Sequence, residues 1–169
     1  MKIAELFSEG QSRATTETIV AYVGDDPRRF AELFRTFERG DFRLQQCAAW
    51  PISVVAETRP ELVEPYLPKL IEYLPRNDVH DAVKRSILRL LEFVRIPDRV
   101  KGKLFSYSID LLDDPSQAVA IRCFALSAAA KAAGNEPALI NEIKLVVNKH
   151  RGHATAGFKA RVRRVLSER

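Results

Sequence analysis

Lys149, Arg151, Lys159, Arg161, Arg163 and Arg164 lie close together near the carboxyl end, with His150 and His153 among them. Cations grouped in this way can hold a phosphate backbone, where each Lys or Arg displaces condensed counterions and binding depends steeply on salt; they can equally hold an acidic protein. Residues 144–169 carry eight of the 27 Lys and Arg but one of the 22 acids, a balance of +7, while the rest of the chain carries 19 against 21, a balance of −2. The net charge of +5 and the pI near 9.4 are therefore local properties of one end. A plainer account competes, because cations near a helix C-terminus are favoured by its dipole.

A second group surrounds the one tryptophan. Asp81, Lys84, Arg85, Arg89 and Glu92 fall off the apolar stripe of the segment 78–94, and Arg43, Gln46 and Trp50 belong to the helical segment before it. A flat aromatic beside cations is a frequent make-up of binding hot spots. Trp50 either reaches that surface or packs in the core beside Pro51, the usual fate of a large apolar side chain.

Other patterns carry less chemistry. His150 and His153 flank a glycine with no Cys or carboxylate close in sequence, a poor metal site. Asp25-Asp26 and Asp113-Asp114 each precede a proline, as helix caps do. No phosphate-cradling glycine loop, nucleophile elbow, Cys-His or Ser-His-Asp arrangement can be assembled, so neither a catalytic site nor a small-molecule cofactor is expected.

The elements that must position these groups are helices. With 169 residues, 46% of them hydrophobic and 29% charged, the chain can bury one core without disulfides or metal. No apolar run approaches the roughly 20 residues of a membrane span, and the start MKIAELFSEG lacks the pattern of a secretory signal. Two cysteines without paired spacing suit a reducing compartment, so a cytoplasmic protein with free thiols is expected. Residues 1–14 read as a flexible arm or cap, and residues 15–169 as one domain.

Apolar residues recur three and four apart along the whole of that domain. Phe30, Leu33, Phe34 and Phe37 make one stripe; Val63, Leu67, Leu70, Ile71 and Leu74 make another; Val79, Val83, Ile87, Leu90, Leu91 and Val94 a third. Pro51 predicts a kink in its helix, Pro65 and Pro68 predict a bent or split first turn, and Asp78 is expected to cap the helix that follows. The turns Gly40-Asp41, Asn77-Asp78 and Asp114-Pro115 stand 37 residues apart, with a further turn near His153. Stepping by that period, Trp50 meets Ile87 and Phe124, and Val54 meets Leu91 and Ala128, so apolar falls on apolar. Two helices per unit at this period indicate an α-solenoid.

Here the chain resembles the HEAT repeat (armadillo-like) family. The resemblance rests on LVEPYLPKLIEYL at 62–74 and on SIDLLDDPSQAVAIRCFALSAAAKA at 108–132, where Asp114, Arg122 and Ala125 meet the family's turn-Asp, Arg and small-residue pattern. It implies an all-α fold, a right-handed α-α superhelix of about four antiparallel helix pairs, and a non-catalytic scaffold that binds a protein partner. It also implies that the second helices line the concave side, and that Arg122 pairs with a turn Asp. The architecture is further similar to the HEAT-like DNA alkylation repair glycosylases, whose basic concave surface cradles duplex DNA. This chain is shorter and has one Trp, so their catalytic constellation is not carried over.

Overall fold

The computed structural model describes residues 3–7 and 10–167. Met1, Lys2, Ser8 and Glu9 of the expected arm, and Glu168 and Arg169 of the basic end, lie outside the described residues. The regular structure is all-α, with no strand among the described residues. In order, α1 (Ile3–Leu6) and α2 (Arg13–Val23) precede α3 (Pro27–Arg39) and α4 (Phe42–Thr58). Then come α5 (Pro60–Val63), a 3-10 turn (Glu64–Tyr66), α6 (Leu67–Ile71) and α7 (Asp81–Leu90). Next are α8 (Asp98–Asp113), α9 (Val119–Ala133), α10 (Pro137–Lys149), a second 3-10 turn (Arg151–His153) and α11 (Ala156–Leu166).

These elements form a solenoid of helix pairs in which the second helices stack in one row. Helix α4 packs on α7, α7 on α9, and α9 on α11. The first helices form the other row, with α8 against α10. Phe30, Leu33, Phe34 and Phe37 of α3 are all buried. Phe34 meets Tyr66 with ring centroids 4.3 Å apart, and Phe37 meets Tyr73 at 4.9 Å, so one repeat's aromatic stripe seats the next. Ion pairs repeat the connection outside the core: Lys69 with Glu38 at 2.6 Å, then Lys103 with Glu72 at 2.5 Å. In the amino-terminal segment, Ile3 and Phe7 are buried in the core cluster, and α1 packs against α3.

Local chemistry explains the boundaries. The Asp26 carboxylate accepts from the Arg28 N–H at 2.8 Å with Pro27 in the first turn, and Asp41 accepts from Leu44 at 2.8 Å. A Cβ at Gly40 would sit 2.5 Å from the Thr36 carbonyl oxygen, so this tight α3–α4 turn needs glycine. The prolines divide the segment 60–71 into two short helices around a 3-10 turn, while α4 runs on through a buried Pro51.

Two expected boundaries are corrected. The cap of α7 is His80, whose Nδ1 accepts from the Ala82 N–H at 3.0 Å, because Asp78 is drawn into a two-pronged pair with Arg76. Asp114-Pro115 does not open α9 directly. Asp114 instead folds a loop by accepting from the Ser116 N–H at 2.9 Å, its hydroxyl at 2.6 Å and Gln117 at 2.8 Å. Those bonds hold its carboxyl down at about 2, the Ser116 contact contributing most.

Candidate binding surface

Arg89 organises the near half of the second-helix row. It projects from the last turn of α7 across to α4, where it donates to the Ser53 hydroxyl at 2.9 Å and to Glu57 at 2.7 Å. Its guanidinium lies 5.2 Å from the Trp50 ring centroid and 5.2 Å from that of Phe93. This side chain is therefore spent on joining two repeats and on holding the indole. Trp50 itself is half-buried. With Gln46, Ala82, Arg85, Ser86 and the incoming segment Gln11–Arg13 it lines a groove of about 380 Å³.

The other residues expected on this surface divide. Gln46 and Arg85 reach the groove, and Arg85 is exposed with no ion pair to a described residue. Arg43 and Asp81 are exposed beside it without lining it, Asp81 in the first turn of α7 where a carboxylate suits the dipole. Lys84 is 5% exposed, because α7 is flanked by α4 and α9, and that burial removes it from the exposed face.

The far half repeats the arrangement two periods on. Arg161 of α11 lies 5.0 Å from the Phe124 ring centroid and donates to Ser127 at 3.1 Å and Glu92 at 2.6 Å. Phe124 and Ser127 occupy the repeat positions of Trp50 and Ser53. Between these two junctions, Lys131 of α9 donates to the carbonyls of Leu91 at 2.8 Å, Glu92 at 3.1 Å and Val94 at 2.7 Å, closing the C-terminal end of α7. Burial lowers the Lys131 amine below the ordinary lysine value. Among the described residues Arg122 makes no ion pair with a turn Asp. It donates from Nε to the Leu112 carbonyl at 3.0 Å and lies 5.2 Å from the Phe158 ring centroid.

The basic end is partly committed as well. Asp113 accepts from Lys149 at 2.8 Å and contacts His150 Nε2 at 2.7 Å, and these neighbours, Lys149 first, hold its carboxyl below the usual range. Arg164 stands 4.0 Å from Glu92. Arg151, Lys159 and Arg163 are exposed, without an ion pair to any described residue, and line a cleft with Val147, Asn148, Ala154, Phe158 and Val162. Among the described residues no cluster of three or more His, Cys, Asp or Glu could hold a metal, and no helix is long and apolar enough to cross a membrane.

A HEAT repeat domain profile matches residues 3–169. The chain belongs to the HEAT repeat family. HEAT repeats generally serve as protein-interaction scaffolds and are typically non-catalytic. Comparison with curated proteins and comparison with solved structures each return no match.

Within this HEAT array, sequence reasoning overlooks the groove wall made by Gln11, Ser12 and Arg13. A signal was present: Ser12 precedes a helical segment and caps it, accepting from Thr15 at 2.9 Å. Lys131 is also missed, since nothing local marks a lysine that caps a helix 37 residues back.

Proposed function

We propose that this chain is a non-catalytic HEAT scaffold that holds a protein partner on its second-helix face, around Trp50. The observation that carries the reading is the setting of Trp50, half-buried in a groove of about 380 Å³ with Gln46 and Arg85, and fixed from one side by Arg89. An indole held in place before binding loses little rotamer freedom on contact, which is the physical basis of an aromatic anchor. Residues 15–169 act as one unit on this reading, with residues 1–14 as its amino-terminal cap. It works in the cytoplasm, where the free thiols Cys47 and Cys123 persist.

The test is site-specific photo-crosslinking in cells, with benzoylphenylalanine at Gln46 or Arg85 and, as a control, at the exposed Asp110 of α8. A discrete protein adduct at the first two positions, absent at Asp110 and lost with Trp50→Ala, is expected. Equal labelling at all three, or none, refutes the reading. Salt-steep binding of duplex DNA, lost when Lys159, Arg161, Arg163 and Arg164 become Glu, would put nucleic acid in first place.

A further inference from the structure

We infer that the cleft between α10 and α11 is a second and separate docking site, built for an acidic segment of a partner protein that carries a row of apolar side chains. The cleft exists because α10 and α11 pack on the preceding repeat more than on each other, α10 on both α8 and α9 and α11 on α9. Lys149 and His150 anchor the end of α10 to Asp113 of α8, while α11 packs on α9, with Phe158 under Arg122 and Arg161 over Phe124. Each helix is held by the preceding repeat, and the space between them stays open at about 350 Å³.

The lining specifies the occupant. Val147, Ala154, Phe158 and Val162 supply an apolar floor, and Arg151, Lys159 and Arg163 supply the charge, with no acid among the lining residues. The volume lies at the small end of the roughly 300–1,000 Å³ of ligand sites, a size for a few side chains. A phosphate backbone has no use for an apolar floor, whereas an amphipathic acidic helix presents both an apolar row and flanking carboxylates. Opposite charge across such a contact sets orientation and speeds encounter. The site shares no lining residue with the Trp50 groove, so neither proposal depends on the other.

The probe is a labelled acidic helical peptide of about five turns with Leu at helical spacing. The comparisons are its scrambled version, a poly-Glu peptide of equal charge, and duplex DNA, all at about 150 mM salt, where the Debye length is about 8 Å. Saturable anisotropy is expected for the amphipathic peptide, with amide shifts at Val147, Phe158 and Val162 in NMR spectra. Affinity should fall about tenfold or more in Lys159→Glu/Arg163→Glu, and also in Val162→Asp, while Trp50→Ala leaves it unchanged. Circular dichroism of each variant confirms that it is folded, and the exposed pair alone suffices if Val162→Asp does not fold. Equal binding of poly-Glu or duplex DNA would overturn the proposal by reducing the site to charge. Absence of binding, or shifts centred on Trp50, would overturn it too.

Discussion

Arg161 and Glu92 stand 69 residues apart in the chain, and their side chains meet at 2.6 Å. The contact passes over α9 and joins the end of α7 to α11. The Arg161 side chain is 17% exposed and that of Glu92 30%, so the pair is shielded more than a surface ion pair. Arg161→Met removes this pair, the Ser127 bond and the contact with Phe124 together. The expected loss is about 1–3 kcal/mol in urea unfolding, with unchanged helicity. Unaltered stability would show that the contact contributes nothing.

Leu70 is 1% exposed in α6, at the centre of a repeat whose first helix is already broken by prolines. Leu70→Ala should cost about 2–5 kcal/mol, read from the denaturation midpoint at constant slope. A much smaller loss would mean that this segment gives way without harm to the core.

Lys131→Met leaves the carbonyls of Leu91, Glu92 and Val94 without their donor while keeping most of the stem's packing. A loss of about 1–3 kcal/mol is expected, with faster amide hydrogen exchange confined at first to α7. Uniform acceleration along the chain would instead point to global destabilisation.

Acid should weaken the fold through Asp113 and Asp114. Both carboxyls lie below their ordinary value of 3.8, Asp114 at about 2 and Asp113 through Lys149 and then His150. The folded state therefore holds these protons more weakly than the unfolded chain does. Their contribution is full above about pH 4, and is lost as pH falls through the folded values. Denaturation midpoints between pH 6 and pH 2.5 should fall less steeply in Asp113→Asn/Asp114→Asn than in the native chain. Parallel curves would assign the acid sensitivity to other groups.

Burial pushes both thiols above their ordinary value, and Cys47 is 6% exposed while Cys123 is half-buried. A thiol reagent should therefore modify Cys123 first and Cys47 only on unfolding, both slowly at neutral pH. Reaction of Cys47 at the rate of a free thiol would show that the core opens there.

The helix stripes, the caps at Asp26 and Asp41 and the 37-residue period were legible because each is a local pattern with a fixed spacing. The cap of α7 was not, because whether Asp78 or His80 closes the helix depends on Arg76 taking the aspartate. Likewise, a helical wheel places Lys84 and Arg89 off the apolar stripe but cannot show that neighbouring helices flank α7 on both sides. Burial of Lys84 and the capture of Arg89 by Ser53 and Glu57 are properties of the stack. The apolar cleft at the basic end was hidden for a similar reason. Sequence shows the charges of Lys159 and Arg163 in a row, and only the packing of α10 and α11 on the preceding repeat reveals the floor beneath them.

Gln11, Ser12 and Arg13 form one wall of the Trp50 groove, and the same stretch of chain is rooted in the core by Ile3 and Phe7. An affinity tag or a proteolytic nick placed among the first dozen residues would thus remodel a surface whose principal side chain comes much later in the sequence. Preparations differing only in how that end is handled should be compared before a weak or absent interaction is credited to the Trp50 face.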